Sequence, residues 1–99
     1  MKYACSHEKM VGFFKAVCDS NRHEILHLIK KGGEMNATGI IDKLNLSQPT
    51  IAHHLKILVE SGILISRKNG KETYYQINEK MIDNCCLGFA GFFCKHKGK

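Results

Sequence analysis

Five cysteines carry the most reactive chemistry in this 99-residue chain: Cys5 and Cys18 towards one end, Cys85, Cys86 and Cys94 towards the other. Their thiolates are soft donors suited to soft ions, and neighbouring thiols can also be oxidised. Cysteine is equally at home as a small buried hydrophobe, so packing competes with both readings, above all for Cys18 and Cys85. An odd number of cysteines with no secretory signal argues against structural disulfides. The apolar run at residues 10–14 is too short for a signal sequence, follows Glu8 and is broken by Lys15. The expectation is a cytoplasmic protein, whose thiols serve as ligands or redox sensors more often than as structural staples.

A second constellation is polar and basic. Gln48, Thr50, His53 and Lys56 fall opposite the apolar positions Ile51, Leu55 and Leu58 of a helical repeat. Glutamine can read adenine through two hydrogen bonds, and threonine or histidine can donate to base acceptors or phosphates. Farther along, Arg67, Lys68 and Lys71 surround Asn69-Gly70 with positive charge. A solvated helix face and a basic loop are each common, so the weight lies in their combination.

The elements that must position these residues follow from periodicity. Met10, Phe13, Phe14 and Val17 recur at i, i+3, i+4 and i+7, which predicts a helix over about residues 6–18. A second helix turns Ile25, Leu28 and Ile29 inward and stops at Lys30-Lys31-Gly32-Gly33, where lysines suit the negative end of the dipole. A third begins near Asn36, buries Ala37, Ile40, Ile41 and Leu44, and ends at Asn45. Ser47 can cap a fourth, with Pro49 in its first turn, Ile51, Leu55, Leu58 and Val59 inside, and Gly62 ending it. Residues 63–68 and 72–78 are rich in β-formers and flank Asn69-Gly70, a hairpin dipeptide, which predicts a two-stranded ribbon. From Asn78 or Glu79, a last helix carries Met81, Ile82, Cys85, Phe89, Phe92 and Phe93 on a face too apolar to stay wet, so a partner should cover it.

Composition sets the outer limits. Ninety-nine residues make one domain, spanning residues 1–99, with a small core. Fifteen Lys+Arg against nine Asp+Glu give a net charge of +6, which favours polyanions. No run approaches the roughly 18 apolar residues of a membrane-spanning helix. No Cys-x-x-Cys, His-Glu-x-x-His or Ser/His/Asp arrangement is present, so the chain reads as no enzyme, with a small cysteine oxidoreductase as a distant alternative.

Two short helices joined by a tight turn at Asn45-Leu46-Ser47 and followed by a basic hairpin read as a winged helix-turn-helix, mainly α with a small β-hairpin. The helix-turn-helix occupies residues 36–61 and the wing residues 63–78. In such a pair the second helix enters the major groove, here with Ser47, Gln48, Thr50, His53 and Lys56, while Arg67, Lys68 and Lys71 reach the backbone or minor groove. The run Leu46-Ser47-Gln48 through His53-His54-Leu55-Lys56-Ile57-Leu58, with Phe14-Lys15-Ala16-Val17, Asn21-Arg22, Gly62-Ile63-Leu64, Arg67 and Tyr74-Tyr75, resembles the ArsR/SmtB family of repressors over about residues 12–79. That resemblance implies a homodimer through the first and last helices (residues 6–18 and 79–94). It also implies an inverted-repeat DNA operator, base contacts by Gln48 and His53, backbone contacts by the wing, and release when an inducer binds. His54 is expected to pack within the domain.

Inducer sites vary across that family, and each can be tested on these residues. The thiolate site typical of the third helix is absent, because Gly33-Glu34-Met35 leads into Asn36-Ala37-Thr38. The zinc site of the last helix is absent, its positions holding Glu79, Met81, Phe92 and Lys95. The fourth helix has no cysteine for lead or cadmium. Cys85-Cys86 with Cys94 is similar to arsenite-sensing members, in which trivalent arsenic or antimony takes three thiolates. On a straight helix, however, Cys86 and Cys94 stand about 12 Å apart, eight steps of ~1.5 Å. Either the helix breaks near Gly88 or Gly91, or Cys5 or Cys18 supplies the third thiolate. Two alternatives stay open. Cys94 after Phe92-Phe93 matches the family's persulfide and oxidant sensors, whose partner position here holds His27, so that Cys18 or Cys86 would have to substitute. Cys5-x-His7 and Cys94-x-His96 could gather zinc or another thiophilic ion across a dimer. DNA binding itself requires no cofactor.

Overall fold

The computed structural model describes residues 7–93, arranged as α1 (His7–Val17), α2 (Ser20–Gly32), β1 (Met35–Asn36), α3 (Ala37–Lys43), α4 (Gln48–Glu60), β2 (Leu64–Asn69), β3 (Glu72–Ile77) and α5 (Glu79–Phe93). The expected order of helices and hairpin is present. Ile25, Ile29, Ile40, Ile51, Leu58, Ile63 and Cys85 are fully buried, and with Phe13, Ala16, Leu55 and Leu64 they form a core fed by α1 to α5 and the start of β2. Leu28, expected inward, is half-buried and does not pack against that core; Leu26 does, beside Ile25 and Ile29.

Each helix is bounded by chemistry visible in the chain. The Asp19 carboxylate accepts the Arg22 backbone N–H at 3.0 Å and caps α2, while Arg22 Nε donates to the Ala16 carbonyl at 2.8 Å and closes the end of α1. The Asn36 side chain accepts from Gly39 N–H to start α3, and Ser47 Oγ accepts from Thr50 N–H to start α4, with Pro49 in the first turn. Gly33 ends α2 at φ 84°, a left-handed conformation that glycine adopts without steric cost. Leu44 is already extended, so α3 stops at Lys43 and not at Asn45.

The sheet departs from the expected ribbon in two ways. It has three antiparallel strands in the order β1-β3-β2, because Met35 and Asn36 pair with Tyr75 and Tyr74. A two-residue strand has no alternation to read, so its presence depends on what β3 offers it. The turn is also displaced by one residue. Asn69 pairs with Glu72, which leaves Gly70 and Lys71 as the loop, and only Gly70 takes positive φ (69°). Positive φ at the first loop residue alone is the pattern of a type II′ connection, not the Asn-Gly type I′ turn.

At the junction of wing and last helix, Asn78 Nδ2 donates to the Gly62 carbonyl at 2.9 Å, and its Oδ1 accepts the Met81 N–H at 3.2 Å. Lys30 on α2 pairs with Glu79 on α5 at 2.8 Å. The α5 helix runs unbroken through Gly88 and Gly91. Phe89 stacks edge-on with Phe14 of α1, centroids 5.1 Å apart. Val11, Leu87 and Phe89 nevertheless remain 45%, 54% and 41% exposed.

Three carboxyls are held below their ordinary values: Asp19 by the Arg22 backbone N–H, Glu34 by hydrogen bonds from Arg67, and Glu79 by the Lys30 ammonium. Unfolding therefore releases groups that bind protons more tightly, so their stabilisation is complete above the ordinary carboxylate range and is lost as pH falls through the lowered values. A thermal midpoint flat from neutrality to about pH 5 and falling below it is expected, with a shallower fall in Glu79→Gln, measured by circular dichroism melts.

Candidate nucleic-acid interface and thiol site

The α4 helix is oriented by what it buries. Ile51, His54, Leu55 and Leu58 face the core, which turns Gln48, Ala52, His53 and Lys56 outward and exposed. Gln48, His53 and Lys56 therefore share one outward face, while Thr50 is placed differently. Ser47 Oγ and Thr50 Oγ1 lie 2.8 Å apart and are engaged in the cap, so Thr50 is half-buried and first of all holds the helix start in shape. Ala52 was not singled out from the sequence, although its place between Gln48 and Lys56 on one stripe was the available signal. A methyl there can meet a thymine methyl. His54 is buried as expected, but among the described residues its Nδ1 has no hydrogen-bond partner.

The wing supplies the flanking charge. Lys68 and Lys71 are exposed, and among the described residues neither joins an ion pair, nor does Lys56. Arg67 is different. Its Nε and Nη2 donate to Glu34 Oε2 and Oε1 at 3.0 and 2.9 Å, and its guanidinium lies over the Tyr74 ring, 5.4 Å from the centroid. Asn36 Nδ2 donates to Glu72 Oε1 at 2.8 Å, a second tie between the β1 segment and the hairpin. Without DNA the positive charge of Arg67 is thus matched by Glu34, a partner 33 residues away that the sequence reading did not connect to it.

A graded salt response follows. Each phosphate contact contributes about one unit to the slope of log K against log salt. Lys68→Ala and Lys71→Ala should each flatten the slope by about one per chain, whereas Glu34→Gln, which releases Arg67, should steepen it by about one, read by fluorescence anisotropy across a salt series. An unchanged slope in Glu34→Gln would show that Arg67 does not turn to phosphate.

The thiols divide by environment. Cys85 is fully buried in the core beside α1, whereas Cys86, one step of about 100° round the helix, is exposed. It lines a groove of about 500 Å³ between α1, α2 and α5. Cys18 is exposed at the end of α1. Cys5 and Cys94 lie outside the described residues, as do His96 and the side chain of His7, so the expected third ligand and the Cys-x-His pairs are not placed. Among the described residues no three His, Cys, Asp or Glu side chains converge as a metal-binding group, and no helix is long and apolar enough to cross a membrane.

Comparison with known proteins adds the following. Residues 19–66 match the model of "Bacterial regulatory protein, arsR family". The chain is 37% identical over 86 residues to the transcriptional repressor SdpR of Bacillus subtilis (strain 168), covering 87% of this chain and 94% of that protein. It is 35% identical over 79 residues to an arsenical resistance operon repressor of Staphylococcus aureus, covering 80% and 75%. Among solved structures, the ArsR-like transcriptional regulator from Rhodococcus sp. RHA1 superposes with a TM-score of 0.80 at 24% identity, over 87% of this chain and 80% of that one, a likeness of fold.

Proposed function

The chain belongs to the arsR family of bacterial regulatory proteins, and from that premise we propose that it is a transcriptional repressor that binds an inverted-repeat operator as a homodimer and leaves it when a thiol-reactive inducer binds. The observation that carries the DNA reading is the outward face of α4, with Gln48, His53 and Lys56 exposed, flanked by the lysines of the wing. Val11, Leu87 and Phe89, still exposed on the first and last helices, support a dimer there, since a second copy would remove that apolar surface from water. The protein is read as cytoplasmic, where its DNA and reduced thiols would meet.

Trivalent arsenic or antimony is the inducer this reading favours, held by Cys85, Cys86 and Cys94, with Cys5 or Cys18 as substitutes. Arsenical resistance repressors among the relatives support that chemistry. Binding is a condensation: As(OH)3 and three thiols give three As–S bonds and three waters, with no change of oxidation state. Cys85 must leave the core to take part, because its thiol is fully buried. The α5 helix is continuous in the free chain, so reaching it requires a local opening, for which Gly88 and Gly91, poor helix formers, are the weak points. Opening α5 would disturb the dimer surface and so loosen the paired reading heads.

The test is an anisotropy titration of reduced full-length protein on a duplex that the protein itself selects from random sequence, with and without arsenite. Affinity should fall at least tenfold at saturating arsenite in the wild type and be unchanged in Cys86→Ser. Arsenite-insensitive binding in the wild type refutes the arsenic reading. Release by peroxide or persulfide, with a disulfide in the mass spectrum, would establish thiol redox sensing in its place. Release by zinc with no change in thiol count would establish a transition-metal sensor.

A further inference from the structure

The tip of the wing has little of the core to lean on. Residues 65–69 of β2 are exposed, as are Gly70, Lys71 and Glu72 around the turn, so pairing within the hairpin fixes its shape but not its angle to the body. Among the described residues, the hydrogen bonds that tie this half of the wing to the body come from residues 34–36. Met35 and Asn36 pair with Tyr75 and Tyr74, Glu34 holds Arg67, and Asn36 Nδ2 donates to Glu72 Oε1 at 2.8 Å. The bond to Glu72 lies nearest the tip, since Glu72 pairs with Asn69 and directly follows Lys71. Asn36 also serves a second element with the other end of its carboxamide: Oδ1 accepts the Gly39 N–H at 2.9 Å and caps α3. A Cβ at Gly39 would stand 3.3 Å from that oxygen, so the glycine leaves the carboxamide its place. One side chain thus joins the start of the helix-turn-helix to the base of the wing tip.

We propose that Asn36 is a positioning residue for DNA binding, which sets the angle of the wing against α3 and α4 so that Lys68 and Lys71 meet phosphates when α4 docks. The inference rests on the DNA-binding reading of α4 and the wing, and adds to it a residue that touches no DNA. The two side-chain ties to the wing differ in kind. Arg67 can change partner, because a phosphate offers its guanidinium the same pair of oxygens as Glu34. Glu72 cannot be taken over in that way: it is the acceptor, and a phosphate, carrying only acceptors and negative charge, has nothing to give it. The Asn36 bond therefore lasts through docking while the Arg67 bond is exchanged. Holding the lysines in place beforehand removes an ordering cost that a free hairpin tip would incur on binding.

The test is anisotropy of full-length protein on the duplex it selects. Asn36→Ser keeps a capping oxygen and the net charge but is too short to reach Glu72, so the melting temperature should hold while affinity falls about three- to tenfold. In a Lys68→Ala/Lys71→Ala background the wing has lost its free charges, and the same substitution should cost less than about twofold. A reversal of the bond separates position from charge. Asn36→Asp keeps the cap but sets two acceptors against each other, Glu72→Gln keeps the acceptor, and the double variant restores the bond with its donor on the wing at the wild-type net charge. It should bind at least about threefold more tightly than the product of the two single effects. Equal binding by Asn36→Ser and wild type, an equal loss in the background without the lysines, or a double variant at the product of its singles would each overturn the role of Asn36 and leave the DNA reading standing. A wild type that selects no duplex would overturn both.

Discussion

Gln48→Ala and His53→Ala should each cost about 1–3 kcal/mol of specific DNA affinity per half-site, and the double variant about the sum, or roughly 30- to 10⁴-fold. Both side chains are exposed on the outer face of α4 and bear no share of the core. Their loss should leave the melting temperature unchanged. Neither removes a fixed positive charge, so binding to a random duplex, set mainly by phosphates, should stay within about twofold and keep its salt slope. Lys56→Ala should behave in the opposite way, weakening both duplexes alike and flattening the slope. The decisive quantity is the ratio of selected to random affinity. If that ratio is the same in the double variant as in the wild type, sequence is read elsewhere or through DNA shape, and α4 only docks.

The largest effect on stability is expected behind that face. Leu58→Ala should destabilise the fold by about 2–5 kcal/mol, since Leu58 is fully buried and a cavity would open between α4 and the sheet. Its carbonyl also accepts the Ile63 N–H at 3.0 Å, so the leucine sits where the helix hands over to the wing. A domain of this size holds about 5–15 kcal/mol in all, and each kcal/mol is worth about 4–8 °C, so a midpoint lowered by more than about 10 °C is expected. Leu58→Met, which keeps the volume, should cost less than about 1.5 kcal/mol. The melts must be compared at one protein concentration, because the proposed dimerisation would add its own stabilisation. A Leu58→Ala midpoint within a few degrees of wild type would mean that the core collapses around the vacancy.

Much of this was legible in the residues because one periodicity serves both packing and display. The apolar positions of α4 name its outer face by subtraction, and Ser47 with Pro49 fixes where it starts. Cys85 and Cys86 follow the same rule: the first shares a stripe with Met81 and Ile82, while the second steps off it and meets the groove. What could not be read was pairing across distance. Glu34 and Arg67 are 33 residues apart and nothing local marks them as partners. The β1 strand is too short to carry a pattern and exists because Tyr74 and Tyr75 present an open edge to it. The hairpin turn slipped by one residue because the local preference of Asn-Gly yielded to the register in which Leu64 faces the core.

Asn78 sets how far apart two moving parts can drift. Its amide nitrogen grips the carbonyl of Gly62, just past the end of α4, and its oxygen grips the first turn of α5 at Met81. Its own N–H is spent on the Ile63 carbonyl. The slack between the end of α4 and the helix that carries Cys85 and Cys86 is therefore the width of one carboxamide. A swing of α5 cannot be absorbed as play in a loop: it either pulls the tail of α4 with it or snaps a contact that leaves a polar group to find water. Asn78 thus ties the end of α4 directly to the first turn of α5, with no loop between them to take up a displacement.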